Sequence, residues 1–143
     1  MTAIRARVAT WLLLTVAVVS STGCASWALS TGGPLDRAAD HTTSQIQTMR
    51  LVTTAGCRSP APRPMLETVL TDSRSVLRET AGDVEREPLS NPRRDPLLTL
   101  IDRARRLLDE EFAAVRAGDC AQLRRIESDL TALVDRIEHW EGE

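Results

Sequence analysis

The chain contains no Lys and no Tyr, a single Phe and only two His among its 143 residues. Without Lys, Arg carries all 18 basic charges, a bias that a GC-rich genome explains better than any function does. Aromatic residues make up 3% of the chain, which leaves little with which to stack a sugar ring or a nucleobase. His41 and His139 stand far apart, and neither belongs to the Glu-x-x-His pairs that di-metal bundles use, so no metal site is expected from them. A Cys-x-x-Cys-His haem attachment is also missing. So are a Gly-rich phosphate loop, a Gly-x-Ser-x-Gly turn and the zinc-protease helix motif. Asp109, Glu110 and Glu111 are consecutive, and consecutive residues fan around a helix, so the run reads as a solvated face rather than a paired acid and base. Neither an enzymatic activity nor a cofactor is expected.

What is present begins with an address. Arg5 and Arg7 precede the apolar run Val8 to Val19, and small polar residues Ser20, Ser21, Thr22 and Gly23 lead to Cys24. That order is the layout of a secretory signal. The apolar run is 12 residues long, too short for a permanent span, which needs about 20 residues in a helix. Residues 1–23 are therefore expected to be a signal peptide and residues 24–34 a short tether ahead of a domain at 35–143. With Arg5 and Arg7 gone, 16 of the 18 basic residues face 20 acidic ones, a net charge of −4. That balance argues against nucleic acid or anionic lipid as the main partner.

The domain reads as four helices. The last is the clearest, with Leu123, Ile126, Leu130, Leu133, Ile137 and Trp140 recurring at alternating spacings of three and four. Gly118 suits a left-handed helix end, and Asp119 with Gln122 predicts a capped start just beyond it. A preceding helix carries Leu97, Ile101, Ala104, Leu108, Phe112 and Val115, with Asp95 as its expected N-cap and Pro96 at its first position. On its outer face Asp102 with Arg106, and Arg106 with Glu110, have salt-bridge spacing. The second helix is expected from Pro64 to Glu87 with the stripe Leu66, Leu70, Ser73, Leu77, Ala81 and Val84. The first, Leu35 to Ala55, places Leu35, Ala39, Thr42, Ile46, Met49 and Val52 on one face and is expected to end at Gly56. Its six Ser and Thr residues are indifferent helix formers, which predicts looser packing there than elsewhere.

Four helices of about equal length joined by short loops predict an all-α fold, an antiparallel up-down four-helix bundle. Alternating directions bring the end of the first helix and the start of the fourth to one pole, and with them Cys57 and Cys120. In an exported protein whose Cys24 is committed elsewhere, that even pair is expected to form one disulfide. A reactive thiol or a metal ligand is the alternative, without a Cys-x-x-Cys or a nearby His to favour it. The histidines fall together at the opposite pole.

Thr22-Gly23-Cys24 resembles the end of a bacterial lipobox. That resemblance implies lipidation of the Cys24 sulfur, cleavage before it, and a membrane attached through the N-terminal lipid; an ordinary signal cleaved after Ser26 is the alternative. Ala25 rather than Asp after the cysteine implies delivery to the outer membrane, periplasmic side, in a host with two membranes. A small lipoprotein with a helical bundle, Gly56-Cys57 closing one helix and Asp119-Cys120 opening the last, is similar to the alpha-helical pilotins of type II secretion systems. That similarity implies a protein partner in the envelope, a helical segment at the C-terminus of a secretin subunit. The competing class is a carrier of a small ligand or metal in the bundle core, and a third is a lineage-specific structural lipoprotein.

Overall fold

The computed structural model describes residues 32–58 and 61–142. The expected signal peptide, Cys24 and most of the tether lie outside the described residues. Four helices follow in order: α1 (Pro34–Arg58), α2 (Arg63–Glu85), α3 (Arg94–Ala117) and α4 (Cys120–Glu141). At 25, 23, 24 and 22 residues, each spans roughly 33 to 38 Å, so they match in length and stack as an antiparallel bundle. Each helix packs on its two neighbours in chain order, α4 closes the ring against α1, and α1 also touches α3 across the middle. None of these helices is long and apolar enough to cross a membrane.

The apolar stripes face one shared core. Ile46 and Met49 of α1, Leu70 and Leu77 of α2, Leu97 and Ile101 of α3, and Ile126, Leu130 and Ile137 of α4 have no solvent exposure. Every member of the four stripes expected from the sequence is buried, including Thr42 and Ser73.

The expectation that α1 packs loosely is not met, because it contacts all three other helices. Its two buried hydroxyls are satisfied within the helix: Thr42 donates to the Ala38 carbonyl at 2.7 Å and Thr53 to that of Arg50 at 2.8 Å. Burying them therefore leaves no orphaned donor. At its start the Asp36 carboxylate accepts from the Gly33 amide at 2.8 Å, just ahead of Pro34, which is the reach-back half of a capping box.

Helix ends differ from the sequence reading in three places. Gly56 does not end α1, which continues to Arg58. The glycine is instead a point of close approach: a Cβ there would sit 3.1 Å from Leu123 Cδ1. α2 stops at Glu85, short of Glu87. Asp95 is not the N-cap of α3, because Asn91 accepts from the Arg93 amide at 3.1 Å and Arg93 takes the cap position without a side-chain bond. Asp95 thus enters the first turn, where its charge still favours the positive end of the helix dipole.

The α3–α4 junction is as expected. Gly118 has φ 66°, the Asp119 amide donates to the Ala114 carbonyl and the Gly118 amide to that of Val115, a Schellman closure. The Asp119 carboxylate then accepts from the Gln122 amide at 3.0 Å and opens α4.

Candidate functional site

The bundle ends define two poles. At the first, α1 finishes, α2 begins, and α3 hands over to α4. Cys57 and Cys120 meet there as free thiols. The two cysteines come within 2.6 Å of each other, longer than the roughly 2.05 Å of an S–S bond, so the disulfide expected from the sequence is not formed in this structure. The Cys57 thiol donates toward the Cys120 carbonyl at 3.7 Å, and the Cys120 thiol toward that of Gly56 at 3.9 Å. Burial pushes the Cys57 thiol up to about 11, helped by its hydrogen bond with the Cys120 side chain and by the charge there. A thiol held neutral in this way is a poor nucleophile. Arg63 closes the same pole, donating to the Arg116 carbonyl at 3.3 Å at the negative end of the α3 dipole.

At the other pole a three-part clasp joins α1, the α2–α3 loop and α4. Arg93 pairs with Asp36 at 3.0 Å, and its guanidinium lies 4.1 Å from the centroid of the Trp140 ring. The Trp140 indole donates to the Arg93 carbonyl at 3.2 Å. Beside it, burial raises the Glu141 carboxyl above its ordinary range, as do the charges of Asp40, Asp36 and Glu138, against the opposing pull of Arg93.

Both histidines sit on the half of the bundle that holds this pole, as the topology required, but in different clefts. His41 lines a cleft with Ala38, Thr80 and Asp83 between α1 and α2; His139 lines a groove of about 440 Å³ with Pro96, Leu100 and Trp140 between α3 and α4. Among the described residues, no group of three or more His, Cys, Asp or Glu side chains could hold a metal ion.

Glu111 departs from the sequence reading. Asp109 and Glu110 are exposed, but Glu111 is fully buried and neither carboxylate oxygen has a hydrogen-bond partner. Desolvation alone pushes its carboxyl up to about 9, so it is a neutral acid at pH 7. Ser73 of α2 is buried too, and its hydroxyl is likewise unpartnered. The Arg74–Asp109 ion pair across the α2–α3 seam sets these two polar groups at nearly the same level of the bundle. The signal was in the sequence: Glu111 lies four residues after Leu107 and three after Leu108, in line with the apolar stripe. Its run of acidic neighbours concealed it.

The salt bridges on α3 also differ from the expected spacing. Asp102 pairs with Arg105 at 3.0 Å rather than with Arg106, and Arg103 reaches Asp129 of α4 at 3.6 Å.

Compared with known proteins, the chain matches no family, no curated sequence and no solved structure.

Proposed function

We propose that this protein is an exported lipoprotein, held to the cell envelope through lipid on Cys24, whose bundle binds a helical segment of another envelope protein. In a host with two membranes the location is the periplasmic face of the outer membrane. The anchor rests on the basic, apolar and Thr22-Gly23-Cys24 sequence at the start of the chain.

The partner-binding half rests on one observation. The interior is filled by close-packed side chains, with twelve large ones almost wholly inaccessible, whereas the α3–α4 groove of about 440 Å³ opens on the surface. A filled core favours a partner on the outside over a small ligand within. The groove has an apolar floor from Leu100 and Trp140 and a polar rim of Asp135, Arg136 and His139, the arrangement that accepts an amphipathic helix. A secretin segment is the specific occupant in the pilotin reading, and catalysis is no part of it. After export, Cys57 and Cys120 would each lose a proton and together pass two electrons to a disulfide oxidant by thiol exchange. The S–S bond would then lock α1 to α4.

The test is cross-linking from native envelopes with the lipidated protein, joined to intact-mass analysis. A chain beginning at a lipid-modified Cys24 and a captured secretin whose outer-membrane delivery fails on deletion would support the full reading. Capture of a different envelope protein would retain the general one. A soluble chain beginning at Trp27, or stoichiometric metal or small ligand with no protein partner, would overturn it.

A further inference from the structure

The seam between α2 and α3 carries one mismatched step. Toward the cysteine pole its facing residues are complementary: Arg116 pairs with Glu67 at 3.5 Å, and two turns along Arg74 pairs with Asp109. One more turn in the same antiparallel register sets Arg78 opposite Arg105, and like charges face each other. Both line a cleft of about 290 Å³ with Arg74 and Asp109, over Leu77 and Leu108. Arg105 has Asp102 at 3.0 Å on its own helix, while Arg78 has no ion pair among the described residues. Leu77 and Leu108 are 0% and 1% exposed, so the cleft offers guanidinium groups rather than apolar surface. Arg74 is held in place from behind, 4.4 Å over the Phe112 ring.

We propose that this cleft is a carboxylate-binding site for an acidic segment of the protein partner, one side-chain carboxylate entering between Arg78 and Arg105. The proposal rests on the reading that the bundle binds a protein, and it gives that partner a chemistry. Facing guanidiniums repel in the free domain and become a bidentate clamp once an anion enters. A membrane headgroup is the poorer occupant, because the cleft lies midway along the side of the bundle rather than at a pole.

The probe is a labelled helical peptide carrying Glu at i and i+4, titrated into the full-length chain, with its Gln counterpart, inorganic phosphate and phosphatidylglycerol vesicles as separate arms. The Glu peptide should bind, the Gln peptide should not, and Arg78→Gln with Arg105→Gln should weaken binding roughly tenfold or more. Arg78→Glu should also lose the peptide while raising Tm without it, because it turns the repulsive step into a pair; both positions are exposed, so these variants fold. Unchanged affinity in the double variant overturns the site, as does an unchanged or lower Tm for Arg78→Glu. Binding of phosphate or vesicles without the peptide overturns the acidic-segment assignment. Envelope cross-linking with the double variant separates the two proposals. A partner captured equally by wild type and variant sinks the cleft alone, and a wild type that captures nothing sinks the partner-binding reading itself.

Discussion

Trp140 and Arg93 hold each other twice: the indole of Trp140 donates to the main-chain carbonyl of Arg93, and the guanidinium of Arg93 lies over the indole ring, 4.1 Å from its centroid. The arginine then reaches Asp36 at the start of α1. One side chain thus ties the first turn of the domain to its last, where helix ends would otherwise fray.

Trp140→Phe keeps most of the ring but removes the donor, and should cost about 1 kcal/mol. Trp140→Ala also opens a cavity, for a total of about 3 to 5 kcal/mol. Arg93→Met keeps the stem packing and loses the charge over the ring and the partly exposed ion pair, about 1 kcal/mol together. Urea denaturation checks the order Trp140→Ala, then the two milder variants; a neutral Trp140→Ala would show that the clasp contributes nothing.

Glu111 makes stability depend on pH. Its folded carboxyl titrates at about 9 against 4.5 for the ordinary group, so between these values the folded chain binds more protons than the unfolded one. Stability is then full below about pH 4.5 and falls as pH rises toward 9. From about pH 5 to pH 8 the loss should be on the order of 4 kcal/mol, at most about 1.4 kcal/mol per unit. Glu111→Gln should flatten this slope, and Glu111→Leu should stabilise the fold at pH 8 more than at pH 5. Equal slopes for wild type and Glu111→Gln in denaturant titrations would show that Glu111 does not titrate in this way.

The cysteine pair makes a redox prediction. Closing the 63-residue separation of Cys57 and Cys120 should add about 4 kcal/mol on the chain-entropy view. Non-reducing peptide mapping of protein taken from the envelope should recover the linked pair, and Cys57→Ser should lower Tm only under oxidising conditions. Two alkylatable thiols in envelope-derived protein would count against the bond. In the reduced state, alkylation of Cys57 at pH 8 should be slow, because its thiol ionises only near 11.

Two glycines should respond to substitution in different ways. Gly118→Ala should cost about 1 kcal/mol, because only glycine adopts φ 66° without strain, and Gly118→Asn should cost less. At Gly56 the backbone is ordinary helix and the obstacle is Leu123. Gly56→Val should therefore overpack the α1–α4 contact and cost about 1 to 3 kcal/mol, while Gly56→Ala stays near neutral because its helix propensity offsets the crowding. Thermal melts that rank Gly56→Val as the mildest of these would contradict the close approach.

The sequence by itself determined the four helices, their apolar faces, the Gly118 closure, the Asp119 cap and the pole shared by Cys57 and Cys120. These follow from local forces: a 3.6-residue period, side chains that bond their own backbone, and loops too short to permit anything but antiparallel neighbours. The tertiary structure decided what depends on a partner helix. The α3 start moved from Asp95 to Arg93 because a turn at Asn91 took the cap, and the polar α1 packed firmly because its hydroxyls bond within the helix. Arg78 met Arg105, and Arg93 met Trp140, through a register between helices that no single stripe encodes. Glu111 stands between the two cases. Its spacing put it in the stripe, but only the packed neighbours removed water from its carboxyl and so turned an acidic residue into a neutral one.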